Sequence, residues 1–268
     1  MEPRPRSTMV PVDVLAEWGA TAATPLEGGR GTAFVAGDVV FKPVTDEVDA
    51  IWIAELLATL PEPSEIRLIR PARSRSGRWV VNGWSAWHRL DGTLRIGDWR
   101  TALEVSRHFH AHVAGVPQPD IPPATHPWAV GDRYAWGERA FEVPIALRDL
   151  ATRLESAREA VALPNQMVHG DLLNNILVAD QLQPAVIDVS PYWRPARYAD
   201  AIIIVDAFGW NGAGSEALDT MRDAQGVQLM LRAALFRLAS AVLLCDRDPR
   251  RLAPQRDTYQ QIAGALLA

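Results

Sequence analysis

Cysteine is nearly absent from this chain: Cys245 is the only one in 268 residues. One thiol excludes an internal disulfide and a cysteine-based zinc site, and its place after the apolar run 241–244 marks it as a buried small hydrophobe. No stretch reaches the ~18 unbroken apolar residues of a membrane span. The N-terminus, MEPRPRSTMVPVDVL, has no long apolar core for a signal peptide, so a cytoplasmic protein without membrane contact is expected. Positive charge is not in excess either. A net charge of -5 and a pI near 5.7 argue against a nucleic-acid partner and leave a cationic substrate possible without selecting one. There is no internal repeat and no low-complexity segment.

What is present is a globular composition, 48% hydrophobic with ten tryptophans, long enough for one large domain or two lobes. One stretch organises the rest: residues 167–190, MVHGDLLNNILVADQLQPAVIDVS. Ile176 to Val178 and Ala185 to Val189 are rich in β-branched residues and are separated by a turn-forming run, which predicts a hairpin. His169, Asp171, Asn174 and Asn175 lead into the first strand, and Asp188 lies near the end of the second. Oxygen ligands of this kind suit Mg2+, which takes one or two protein carboxylates and completes its shell with phosphate and water. A further aspartate, not used on the metal, can accept the proton of a hydroxyl. The chemistry indicated is phosphoryl transfer to an alcohol.

His169-Gly170-Asp171-Leu172, an asparagine, an apolar strand, a turn and Ile187-Asp188 together resemble the catalytic signature of the aminoglycoside phosphotransferase and choline kinase-like family. The resemblance implies that Asp171 is the catalytic base, that Asn175 and Asp188 hold Mg2+, and that His169 braces the loop. The family's metal-binding asparagine usually stands five residues after the aspartate. Here Asn175 stands four after Asp171, a shortening that resembles an actinobacterial branch of these kinases, and Asn174 is the alternative ligand.

The N-terminal part carries a glycine-rich turn, Gly28-Gly29-Arg30-Gly31, between expected strands. Missing side chains let backbone amides approach phosphate oxygens, although the spacing matches neither GxxxxGKS/T nor GxGxxG. Lys42 ends the apolar strand VVFK. By resemblance it pairs the α- and β-phosphates; by itself it would be a strand-end surface lysine. The period of apolar residues from 48 to 60 predicts a helix with Thr45 as N-cap, and Glu47, Asp49 and Glu55 are candidate partners for Lys42. Strands are expected at 66–69 and at 79–87. The second leads to a hinge where the resemblance places a purine against the backbone of Ala86, Trp87 and His88.

Helices are expected over 98–113, 141–163, 215–222, 227–244 and 259–267. The proline-rich stretch 116–127 reads as a loop. His108 and His112 share a helix face but lack a third metal ligand. Asp200 is read as opening the helix that carries Ile202 to Val205, as an N-cap or first-turn acid; the resemblance gives it the task of steadying the catalytic loop. Pro191 and Pro195 are read as keeping their segment out of regular structure.

The resemblance implies an α+β, two-lobed protein-kinase-like fold, with an antiparallel-sheet N-lobe at 1–88 and a mainly helical C-lobe at 89–268. It implies transfer of the γ-phosphoryl of ATP or GTP to a hydroxyl of a small molecule, with Mg2+ as cofactor. An antibiotic of aminoglycoside or nucleoside type is the first expectation for the acceptor. The alternatives are a metabolic kinase of a sugar, choline-like or amino-alcohol substrate, and a nucleotide-binding pseudokinase. A protein kinase fits least, because HGD stands for HRD and IDVS for DFG.

Overall fold

The structure is a computed structural model that describes residues 9–26 and 31–268. Its elements begin with α1 (Val12–Glu17), β1 (Thr24–Pro25), β2 (Phe34–Ala36), β3 (Val39–Pro43), α2 (Glu47–Thr59), β4 (Arg67–Leu68), β5 (Val80–Val81), β6 (Trp84–His88) and β7 (Thr93–Leu94). They continue with α3 (Trp99–Val113), α4 (Pro127–Ala135), α5 (Ile145–Ser156), β8 (Gln166–His169), β9 (Ile176–Val178), β10 (Ala185–Val186) and β11 (Pro191–Arg194). The chain ends with α6 (Ala196–Trp210), α7 (Ser215–Asp219), α8 (Ala224–Leu244) and α9 (Pro249–Leu267). Two compact units result. One comprises Met1–Thr93 with Leu177–Ile187, the other Leu94–Ile176 with Asp188–Ala268.

Among its described residues the first unit holds a five-stranded sheet in the order β1-β2-β3-β6-β5. Alternation along β3 decides its two faces. Phe41 is fully buried and packs with Val14 and Leu15 of α1, while the Trp18 ring meets its edge at 5.7 Å. Val40 and Lys42 therefore leave by the opposite face, where Val40 pairs with Val35 and Trp87 and Lys42 pairs with Ser85. The expected single strand over 79–87 is instead a hairpin. Asn82 and Gly83 sit at φ 49° and 77°, the conformation that Asn-Gly adopts readily between two antiparallel strands. The expected strand at 66–69 shortens to β4, which pairs in parallel with β10 rather than joining the five-stranded sheet. The N-cap of α2 is Asp46, whose carboxylate accepts from the Asp49 amide, not Thr45.

The second unit is mainly helical. α8 is long and apolar enough to cross a membrane, yet 83% of that window is buried, so it is the core helix. α4, α5, α6 and α9 pack against it. α6 starts at Ala196, directly after Pro195, which places Asp200 inside the helix and not at its cap. α9 begins ten residues earlier than its periodicity indicates, because Asp248 caps it and Pro249 fits its first turn. β11 contradicts the irregular segment expected after Asp188. Pro191 is tolerated as the first residue of a strand in a two-stranded ribbon, where a missing amide hydrogen breaks no ladder.

Candidate active site

The ribbon of β8 and β11 decides where the two aspartates go. Its register pairs Pro191 with His169 and Tyr192 with Val168, and the Gly170 amide donates to the Ser190 carbonyl at 2.9 Å. Asp171 follows one strand and Asp188 precedes the other, so both emerge at the same end. Gly170 permits this closure. A Cβ there would stand 2.3 Å from the Tyr192 ring, so any side chain would push the ring off the loop. Asp188 sits at φ 53°, in the left-handed region that aspartate enters more readily than most residues. Backbone tension of this kind is tolerated where the surrounding structure dictates the pose.

Asp171 is half exposed, with 53% of its side chain open to solvent. Its amide donates to His169 Nδ1 at 3.1 Å. Asn175 Nδ2 donates to the Asp171 carbonyl at 2.6 Å and to Oδ2 at 3.3 Å. Arg237 Nη2 donates to Oδ1 at 2.8 Å. The two asparagines divide cleanly. Asn174 Oδ1 accepts from the Gly97 amide at 3.0 Å and its Nδ2 donates to Asn211 at 3.4 Å, which ties the loop to the segments before α3 and after α6. Asn175 Oδ1 makes no hydrogen bond among the described residues, which makes Asn175 rather than Asn174 the available oxygen donor.

Beneath the loop lies a buried chain of hydrogen bonds. The His169 amide donates to His110 Nε2 at 3.1 Å, so that nitrogen is the acceptor and the proton of neutral His110 resides on Nδ1. His110 Nδ1 then donates to Ser106 Oγ at 3.0 Å, and Ser106 donates to Asp200 at 2.6 Å. Asp200 thus reaches the loop of Asp171 through two intermediaries on α3. Burial, and then the neighbouring His169, push the His110 pKa from 6.5 down to about 3. The unfolded chain takes up this proton below pH 6.5 and the folded chain does not until about pH 3. Stability present above pH 6.5 is therefore lost as pH falls, by about 2 kcal/mol at pH 5. Denaturant titrations of wild type and His110→Gln between pH 5 and 7.5 should show a gap that narrows by this amount on acidification. A gap that does not change with pH would count against the neutral buried histidine.

Other expected site residues lie in the first unit. Lys42 is half-buried on β3. It is also the only lysine among 268 residues, against 26 arginines, which sets it apart from an ordinary surface lysine. Of its candidate partners, Glu47 and Glu55 are exposed, whereas Asp49 is partly buried, its pKa pushed up to about 6 by burial and then by Asp46. Gly28, Gly29 and Arg30 lie outside the described residues; Gly31 is exposed at φ 66°. The expected hinge residues occupy β6, inside the sheet. The Ala86 carbonyl accepts from Ala72 and the His88 amide donates to Arg70, each at 2.8 Å, so these two groups are already engaged within the fold.

Three groups around the loop escaped sequence reasoning: His110, Asp206 and Arg237. Arg237 had a legible signal, a charge inside the apolar run of α8, where only a paired charge is tolerated. Its guanidinium lies 5.3 Å from the Trp128 ring and donates through Nε to Asp206 at 2.8 Å, with a second bond from Nη2 to the other oxygen. Burial opposes its charge, but Asp206 and then Asp171 more than offset this and raise its proton affinity. A second buried group, Arg194 at the end of β11, binds Asp132 and Glu138. No cluster of three or more metal-ligating acids, histidines or cysteines occurs among the described residues, at His108 and His112 or elsewhere.

A five-stranded antiparallel sheet with its lysine strand, joined to a helical unit whose ribbon presents two aspartates, is the protein-kinase-like fold. Solved structures with this fold include choline kinase LicA from Streptococcus pneumoniae, with a TM-score of 0.59 at 9% identity over 96% of this chain and 97% of that one. The thermostable aminoglycoside phosphotransferase APH(4)-Ia, in its ternary complex with AMP-PNP and hygromycin B, gives 0.56 at 12% identity over 94% and 96%. Spectinomycin phosphotransferase APH(9)-Ia, with ADP and spectinomycin, gives 0.52 at 14% identity over 92% of each chain. The fold is thus the one common to aminoglycoside phosphotransferases and choline kinases. No protein-family model matches the chain, and no curated protein matches it in sequence.

Proposed function

We propose that this protein is a small-molecule kinase that transfers the γ-phosphoryl of ATP or GTP to a hydroxyl group. The observation that carries this reading is Asp171: a half-exposed carboxylate, fixed on both oxygens, at the same ribbon end as Asp188. Asp171 would accept a hydrogen bond from the acceptor hydroxyl. As the new O–P bond forms and the bond to the β-phosphate oxygen breaks, the hydroxyl proton passes to Asp171 and the nucleoside diphosphate departs.

Asp188 and Asn175 Oδ1 offer the hard oxygen donors that suit Mg2+, and few protein ligands suffice when phosphates complete its shell. When bound, the ion would neutralise charge on the phosphate oxygens. Lys42 and the amides of residues 28–31 are assigned to phosphate oxygens of the nucleotide. With the Ala86 carbonyl and the His88 and Arg89 amides already bonded, backbone contact to the purine is assigned to the segment at 90–92. The apolar face of Val35, Val40 and Trp87 beside Lys42 is suited to the flat base.

The acceptor we favour is an antibiotic of aminoglycoside or nucleoside type. The fold shared with LicA keeps a choline-like or amino-alcohol acceptor as the second reading. Diphosphate release measured across aminoglycosides, spectinomycin, nucleoside antibiotics, sugars, choline and ethanolamine separates these. Nucleotide binding with no Mg2+-dependent release on any acceptor would sink the kinase reading in favour of a pseudokinase.

The lone lysine allows a direct check of nucleotide placement. An acyl-phosphate derivative of ATP should acylate Lys42, and excess ATP should protect it, as read by peptide mass spectrometry. Acylation that ATP does not suppress would remove Lys42 from the phosphate site.

A further inference from the structure

Arg237 stands inside the long, buried core helix α8, and its side chain is only 8% exposed. Such a charge is costly unless fully paired. Here Asp206, itself 13% exposed, takes a two-point grip on it, and the rings of Phe236 and Trp128 lie 4.9 and 5.3 Å from its carbon. The remaining reach of Nη2 goes to the catalytic loop: Asp171 Oδ1 at 2.8 Å and the Gly170 carbonyl at 3.4 Å. A planar fork anchored in this way leaves Asp171 little rotational freedom. Because Asp206 balances the guanidinium, the cluster of three retains one negative charge, and that charge is on the exposed member.

We propose that Arg237, locked by Asp206, is the positioning residue for Asp171, holding Oδ1 so that Oδ2 faces the acceptor hydroxyl. This rests on the kinase reading, in which Asp171 is the catalytic residue; Arg237 and Asp206, buried at 8% and 13% exposure, act through it. Their contribution is orientation. A carboxylate free to rotate would reach the productive pose only part of the time, which lowers kcat and leaves nucleotide binding intact.

The test is a double-substitution cycle on nucleoside diphosphate release, with the acceptor found above or with water. Asp206→Asn keeps the shape of the anchor but loses its charge. Arg237→Lys keeps the charge but cannot span both carboxylates. Each is expected to lower kcat about 10-fold or more with the KM for nucleotide within about twofold. In an Asp171→Asn background neither should lower the residual rate further, because both act through that carboxylate. Folded single variants with unchanged kcat, or effects that multiply in the double variants, overturn the proposal.

Should both substitutions prevent folding, thermal melting of wild type against Asp171→Asn decides. Removing a charged partner from a buried guanidinium should lower the melting temperature by about 3 °C or more, and an equal or higher value overturns the proposal. This last arm needs no turnover. A protein that released no diphosphate at all would refute the kinase reading and leave the grip of Arg237 on Asp171 independently testable.

Discussion

Asp171→Ala should fold normally and lose turnover by about 10²-fold or more, the scale of a positioned general base. Folding should survive because the side chain is half exposed, and because the loop is held by other bonds. Asn174 ties it to Gly97 and Asn211, and the His169 amide is anchored on His110. The change removes the acceptor of the hydroxyl proton and one partner of Arg237, which keeps Asp206. Circular dichroism establishes the fold, and initial rates of diphosphate release measure the loss. Near-normal rates in the folded variant would exclude Asp171 as the proton acceptor and would also remove the basis for positioning by Arg237.

Arg194→Met should cause the largest loss of stability. Arg194 donates from Nε and Nη2 to Asp132, with the closest approach at 2.5 Å, and from both terminal nitrogens to Glu138 at 2.6 and 2.8 Å. Arg194 and Asp132 are 8% and 3% exposed, so neither can recruit water when the other is removed. Burial already raises the proton affinity of the Asp132 carboxyl, and Arg194 is the main opposing influence. Breaking one side of a buried pair costs about 3–5 kcal/mol, because a charge or an unsatisfied polar group is left inside. Glu138, more exposed, contributes less.

Methionine fills much of the volume, so the cost should arise from the stranded acid. The double variant Arg194→Met with Asp132→Asn should therefore recover a large part of the loss in urea titrations. If the single variant is within about 1 kcal/mol of wild type, the pair is not what holds the end of β11 against α4.

The local signals in this chain were strong wherever the chemistry is local. The Asp171 and Asp188 pair could be read as ends of short apolar runs, and β9 and β10 are neighbouring strands, as their β-branched composition indicates. The Asn-Gly turn at 82–83 was equally legible from its dipeptide, but the apolar run on either side disguised it as one strand. β11 was hidden for a different reason. Two prolines argue against a strand by local rules, and only the pairing with β8 shows that Pro191 occupies a place where its missing hydrogen costs nothing. What the sequence did not mark at the expected hinge is that residues 70–72 pair with that strand and engage the Ala86 carbonyl and the His88 amide, a long-range partnership.

The sequence by itself determined the residue types and their order: a glycine-rich turn, a single lysine, an HGD loop, two asparagines and a later aspartate. Only the tertiary structure decided which of these share a task. It engaged Asn174 in holding the loop and left Asn175 available, routed Asp200 through Ser106 and His110, and brought Arg237 from a helix 66 residues away onto Asp171. The physical reason is that a buried charge or hydrogen-bonding group must be satisfied by whatever packing brings near. Its partner is chosen by the fold, not by its neighbours in the chain.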